Sequence, residues 1–223
     1  WPTGAFEKLE LNVNGRLDTE AQSTTMRGRR AETWGELRFR GGYRTGAGLS
    51  GKADRVRDGF TLLDRLDVAA DEYNSRSVEL WVATPQTVNP DASLYFVHTD
   101  GFFGGERIGW GLDAAISATR HARLIAGLDW SRVKLPNQPQ TDSLTLNSGL
   151  TLAADPTVSL DLIGQANEIA DTTAGVARFR WRYLPGSDLF LVYRRQDDTF
   201  LGLKEDAEWS VTLKASLRQD FAL

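Results

Sequence analysis

Apolar and polar side chains alternate along much of the chain. Between positions 108 and 118 every even-numbered residue is apolar, whereas the odd-numbered ones include Asp113 and Ser117. Successive side chains of an extended strand point to opposite faces, so a period of two predicts a strand with one apolar and one polar face. The same alternation recurs in the segments 122–131, 144–152, 158–165, 177–183 and 209–218.

The first hundred residues are less regular but carry further strand signals. One face of the second candidate strand carries Leu37 and Phe39, and the other carries Glu36, Arg38 and Arg40. Apolar and polar residues also alternate around Leu80. Candidate strands there are Ala5–Asn14, Ala31–Gly42, Gly48–Arg57, Tyr73–Thr84 and Asp91–Gly101. The pattern predicts about twelve strands in total, within a range of roughly ten to fourteen. We expect the polar stretches Arg16–Arg30 and Asp58–Glu72 to be the largest loops.

Strand length suggests where these strands lie. Runs of roughly ten to thirteen residues suit a tilted membrane crossing of about 9 to 11 residues better than the 5 to 6 typical of soluble sheets. No stretch approaches the ~20 consecutive apolar residues of a spanning helix. Aromatic residues near strand ends or on the apolar face are typical of an interfacial girdle; the candidates are Trp110, Trp130, Trp181, Tyr183 and Trp209.

The connections alternate in length, as they do in outer-membrane barrels. Short links are expected at Thr119–His121, Asp155–Thr157 and Pro185–Asp188, and longer ones at Leu135–Thr141, Ile169–Thr173 and Asp197–Ala207. Leu184-Pro185-Gly186-Ser187 has the proline-then-glycine chemistry of a tight turn. The sequence therefore predicts an all-β, antiparallel, up-and-down transmembrane β-barrel in a Gram-negative outer membrane. We expect residues 1–223 to be one domain, with an upstream domain or leader removed before Trp1.

One face of the predicted barrel carries many charges. A period of two places Arg178, Arg180 and Arg182 on one side of one strand, where they must meet water. Other candidates for a lumen-facing position are Arg38, Arg40, Arg123, Asp129, Asp161, Lys214 and Arg218. These arginines and lysines form either a basic ladder that selects anions, or ion pairs with Glu36, Glu79, Asp113, Asp129 and Asp161 that fill the lumen. We favour the filled lumen because long inward side chains occupy much of a small barrel.

Composition removes several kinds of chemistry. The 223 residues include no cysteine, so disulfides, thiolate metal sites and cysteine nucleophiles are excluded. The formal net charge of −4 and the dispersed basic residues give no nucleic-acid footprint. The two histidines, His98 and His121, have no partner serine in a strained turn. We expect no enzymatic activity, cofactor or metal site. The hydrophobic fraction of 41% still allows a barrel, because only alternate residues meet lipid.

Four segments carry a resemblance to a known family: FFGGERIGWGL, VKLP, LTLNSGLTLAADPTVSLDLIGQ and RWRYLPGSDLFLVYRRQ. They resemble the C-terminal barrel domain of an uncharacterised family of bacterial outer-membrane proteins, in which an N-terminal domain similar to family 9 carbohydrate-binding modules precedes the barrel. The resemblance covers Tyr73–Leu223 well and the earlier part loosely. The chain departs from the family at its end, where the usual terminal phenylalanine is Phe221 and Leu223 is last.

Three functions remain open at this point. The resemblance implies a membrane anchor or assembly subunit for an attached or partner domain, because the barrel would serve as a platform. The charged face suggests instead a porin-like channel for small hydrophilic solutes. A soluble β-sandwich binding module is the third alternative. The expected partners are the lipid bilayer, the barrel-insertion machinery and proteins of a membrane complex.

Overall fold

A computed structural model describes residues 6–19, 26–63, 65–199 and 207–216. Within these ranges the regular structure is β-strand, and no helix there is long and apolar enough to cross a membrane. The strands are β1 Phe6–Thr19, β2 Met26–Phe39, β3 Arg44–Arg55, β4 Phe60–Leu62, β5 Leu66–Val68, β6 Glu72–Ala83, β7 Asp91–Phe102, β8 Gly105–Thr119, β9 Ala122–Lys134, β10 Thr141–Asp155, β11 Val158–Asn167, β12 Thr172–Leu184, β13 Ser187–Asp197 and β14 Glu208–Ser216.

Twelve of these strands form one antiparallel sheet, in the order β1-β2-β3-β6-β7-β8-β9-β10-β11-β12-β13-β14. Strands β4 and β5 pair only with each other. The all-β, up-and-down prediction and the count of about twelve are therefore confirmed. Among the described strands there is no second large sheet, which a sandwich requires.

Two compact units make up the chain. The first contains Trp1–Asp113 and Asp129–Leu144, and the second contains Ala114–Leu128 and Thr145–Leu223. In the first unit the register aligns Leu11, Gly35, Ala47, Leu80 and Phe96 in one row across five strands. We call the side of the sheet that carries this row the apolar face.

The opposite side of the first unit is the polar face. Glu10, Glu36, Gly46, Trp81 and Tyr95 form one row there. The rows on the two faces are one residue apart along each strand, as the strand period of two requires. Polarity is thus sorted across five neighbouring strands and not only along each strand.

The second unit shows the same separation. Leu152, Leu160, Phe179, Leu191 and Leu213 form a row on its apolar face. The row on its polar face that contains Asp161 and Arg178 continues to Thr151 on one side and to Val192 and Thr212 on the other. The predicted apolar positions of this unit therefore align across its strands, whereas the polar row also contains the apolar Val192.

Glycines set two of the tight turns. The predicted turn at Pro185 and Gly186 is confirmed, and Gly186 has a φ of 78°, which favours glycine. The chain also reverses at Gly41 and Gly42, with φ values of 91° and 81°. Arg40 lies in this second turn, one residue after β2 ends, and not within the strand where it was expected; its position toward the lumen stays a prediction.

The predicted loop at Arg16–Arg30 is wrong. Strands β1 and β2 continue into it as far as Thr19 and from Met26, with Arg16 paired to Arg30. Backbone hydrogen bonds between strands do not need apolar side chains, so the hairpin extends beyond the point where the alternation fades. The predicted long link at Asp197–Ala207 lies mostly outside the described residues.

The predicted polar loop at Asp58–Glu72 is folded. It contains the β4–β5 hairpin, which brings Leu66 and Val68 against Val133 and Leu135 of the loop end of β9. All four side chains are buried, and Leu66 is 0% exposed. Val56, Leu62, Leu63, Tyr73, Phe102 and Phe103 pack around them, and we call these ten residues the cap cluster.

A polar contact ties the same hairpin to the β9–β10 link. The side-chain amide of Gln138 donates to the backbone oxygen of Asp67 at 2.6 Å and accepts from the backbone N–H of Asp67 at 2.8 Å. The side-chain amide of Gln138 thus bonds to Asp67 as a backbone amide of a neighbouring strand would, with one donated and one accepted hydrogen bond. The hairpin is therefore held by both apolar packing and an amide clamp.

We expect Leu66→Ala to loosen the cap cluster. Removing a fully buried leucine side chain costs about 2 to 5 kcal/mol, and the hairpin has few other contacts to offset that loss. Limited proteolysis with trypsin should then cut at Arg65 many times faster than in the unchanged protein. Leu112→Ala is the control, because Leu112 is exposed on the apolar face. Equal cutting rates in both variants would contradict the role of the cluster.

Candidate functional site

Aromatic rings on the polar face of the first unit lie over glycines of the neighbouring strands. A Cβ atom added to Gly46 would overlap the indole of Trp81, and one added to Gly111 would overlap the ring of Tyr95. Tyr95 also donates a hydrogen bond to Asp129. Each ring thus packs directly on the backbone of a glycine, in space that the side chain of a larger residue would fill.

A recess of about 290 Å³ opens beside these rings, between Trp34 and Trp81. Gly48 forms its floor, and Glu32 and Glu79 line it. Arg30 lies 2.6 Å from Glu32 and neutralises that carboxylate. The sequence signal for this recess is the position of Trp34 and Trp81, which fall on the polar face of their strands and not on the apolar face that a girdle residue occupies.

The polar face of the second unit brings the arginine series together with aspartates. Arg178 pairs with Asp161 at 2.7 Å, and Asp161 also accepts a hydrogen bond from Thr151 at 2.9 Å. Arg180 and Arg182 share Asp188, at 2.9 and 3.3 Å. Asp188 had not been singled out in the sequence, although it follows the Pro185–Gly186 turn and so returns to the same level as Arg182. All three arginines are thus ion-paired, and two aspartates offset two of their three charges.

The remaining candidates for the polar face are placed as follows. Arg38 pairs with Glu36 of its own strand at 3.0 Å. Arg123 belongs to β9, and Asp129, farther along β9, lies in the first unit with Tyr95. Lys214 faces Phe190 on the adjacent strand. Arg218 lies outside the described residues.

The five girdle candidates all fall on apolar-face positions, and Trp181, Tyr183 and Trp209 also lie close to strand ends. Trp110 and Trp130 contact each other with ring centroids 6.2 Å apart, and the guanidinium of Arg132 lies 5.0 Å from the centre of the Trp130 ring. The rings of Trp181 and Tyr183 are 6.0 Å apart. Trp209, on β14, is exposed. Their interfacial role stays a prediction.

The histidines are engaged in simple polar contacts. His98 lies 2.9 Å from Glu106, and His121 accepts a hydrogen bond from Arg120 at 2.7 Å. In the described part of the chain, no three histidine, aspartate or glutamate side chains are grouped so as to hold a metal ion.

Comparisons with known proteins give no relative. No protein-family model matches the chain, and neither a curated protein nor a solved structure matches it. The resemblance to an outer-membrane family therefore stays a prediction.

We expect Gly46→Ala to destabilise the sheet, because the added methyl group would displace the indole of Trp81. Overpacking of this kind costs about 1 to 3 kcal/mol. Gly51→Ala on the same strand is the matched control, since nothing lies within 4 Å of the added atom. Urea unfolding of both variants in detergent measures the difference. If Gly46→Ala unfolds at the same urea concentration as Gly51→Ala, the ring does not need the space above Gly46.

Proposed function

We propose that this chain is a transmembrane β-barrel of a bacterial outer membrane, and that it acts as a membrane anchor or assembly subunit. One observation carries the proposal: large apolar side chains cover one face of both units and are left exposed. Such a face is stable when hydrocarbon solvates it, and it causes aggregation in water.

The exposure is not confined to the edges of the sheet. Leu80 and Phe96 lie on strands that have neighbours on both sides, yet they are 48% and 39% exposed. Leu191 and Phe179 in the second unit are 45% and 37% exposed. In a soluble protein a second layer would cover such residues. In the described ranges, the eight buried hydrophobic residues lie in the cap cluster or are alanines of the strands.

The polar face favours an anchor over an anion channel. A basic ladder would need unpaired guanidinium groups along a water-filled path, whereas Arg178, Arg180 and Arg182 all lie in ion pairs with Asp161 or Asp188. These ion pairs fill space and leave one excess positive charge in the group, not a continuous ladder of free charges. The supporting role also agrees with what the family resemblance implies, namely a barrel that carries an attached domain or a partner protein.

We expect Leu80→Lys to block assembly into membranes, because a lysine at the level of the bilayer centre costs about 2 to 4 kcal/mol on the lipid face of a barrel. Glu79→Lys is the matched control, since this neighbour on β6 lies on the polar face. The fraction of chain in the detergent-extracted, heat-modifiable form measures assembly. A water-soluble protein would tolerate both changes, and that outcome would falsify the membrane assignment.

We expect planar-bilayer recordings of the purified, folded chain to show no conductance steps above background. An anchor with paired charges on its polar face has no need of an open path. A pulldown from outer-membrane extract should meanwhile recover a partner protein with the chain. Regular steps that change with Arg178→Gln would support the channel and reject the anchor.

A further inference from the structure

A recess of about 620 Å³ lies on the apolar face of the first unit, at the loop ends of β2, β3 and β6. Ala31, Gly51 and Ala53 form its floor, and a Cβ atom added to Gly51 would meet nothing within 4 Å. Small side chains on three adjacent positions thus leave a shallow depression on a face that otherwise carries large residues.

Two arginines flank this depression. Arg29 is aligned with Ala53 on one side, and Arg76 is aligned with Gly51 on the other. They lie two strand spacings apart, about 10 Å, and are offset by two residues, about 7 Å along the strands. Both side chains can therefore extend over the same floor.

Arg29 and Arg76 are both unpaired within the described part of the chain. Among the described residues, no hydrogen bond or ion pair engages the guanidinium group of Arg29 or Arg76, whereas Arg30, Arg38 and Arg132 are all paired with carboxylates. Asp100 lies opposite Arg76 in the register and also lines the recess, but it makes no ion pair with it. Two guanidinium groups against one carboxylate leave a net positive site that can accept an anion.

The apolar face continues directly from the recess. Leu49 and Val78 form the next pair along β3 and β6, and both are exposed. A molecule bound here would place a charged group between the arginines and an apolar group along the leucine and valine. That combination fits a lipid with a phosphate headgroup, because arginines at the end of an apolar band meet headgroups.

We propose that Arg29 and Arg76 hold the phosphate headgroup of an anionic lipid, whose acyl chains lie along Leu49 and Val78. This inference rests on the proposed membrane location. It places the charged end of the recess in the headgroup layer on the side where the β4–β5 hairpin lies, and so assigns the site a fixed depth in the bilayer.

Native mass spectrometry of the detergent-solubilised protein tests the site, with phosphatidylglycerol as the anionic probe and phosphatidylcholine as the zwitterionic one. We expect Arg29→Gln/Arg76→Gln to weaken phosphatidylglycerol binding about tenfold and to leave phosphatidylcholine binding unchanged. Arg40→Gln is the control, since Arg40 is an exposed arginine in the turn after the opposite end of β2, and no ion pair engages it among the described residues. Equal binding of phosphatidylglycerol in the double variant and the control overturns the assignment.

We expect Asp100→Asn to change phosphatidylglycerol binding in the opposite direction. Removing the one carboxylate of the recess should strengthen phosphatidylglycerol binding about threefold. Inorganic phosphate at the lipid's concentration should not displace the lipid, because it makes no contact with Leu49 and Val78. Displacement would show a simple anion site, and unchanged binding in Asp100→Asn would place the lipid elsewhere.

The two proposals fail in different ways. A protein that stays in the aqueous phase and tolerates Leu80→Lys rejects the membrane assignment. A protein that assembles normally, yet binds phosphatidylglycerol equally well with and without the two arginines, rejects the lipid site alone.

Discussion

The hydrogen-bonded backbone of the sheet is the constraint on which the rest of the structure depends. Once neighbouring strands are paired, the period of two forces every second side chain to the same side, and the register carries that choice from strand to strand. The row from Leu11 to Phe96 and the row from Leu152 to Leu213 are consequences of this rule. In hydrocarbon the rule becomes stricter, because an unpaired backbone group there costs several kcal/mol.

Much of this arrangement was visible in the sequence. The strands from β8 onward have strong alternation, and the alternating segments predicted for them fall within observed strands, except for positions 217 and 218, which lie outside the described residues. The turn at Pro185 and Gly186 was predictable because only a few residue types suit its dihedral angles. The alternation of side chains allowed two arrangements for Arg178, a free position in a basic ladder or an ion pair with an acidic residue such as Asp161. Register decided between them, since it places those two residues directly opposite each other.

Other features could not be predicted, for physical reasons. The Asp58–Glu72 segment mixes charged and apolar residues, and its role depends on Val133 and Leu135, which are distant in sequence. The role of Trp81 depends on the absence of a side chain at Gly46, which lies directly opposite on β3 but is distant in sequence. The recess between Arg29 and Arg76 likewise arises from three small residues on separate strand positions. Local periodicity describes one strand at a time and does not predict which residues of different strands meet.

The cap cluster has a consequence for the order of folding. Its amide clamp joins Asp67 to Gln138, which are 71 residues apart, and its apolar contacts span a similar distance. Closing such a long loop is entropically costly until the intervening strands are in place. The β4–β5 hairpin therefore docks only after β6 to β9 have formed, so its protection from solvent is a late kinetic event that reports completion of this half of the sheet.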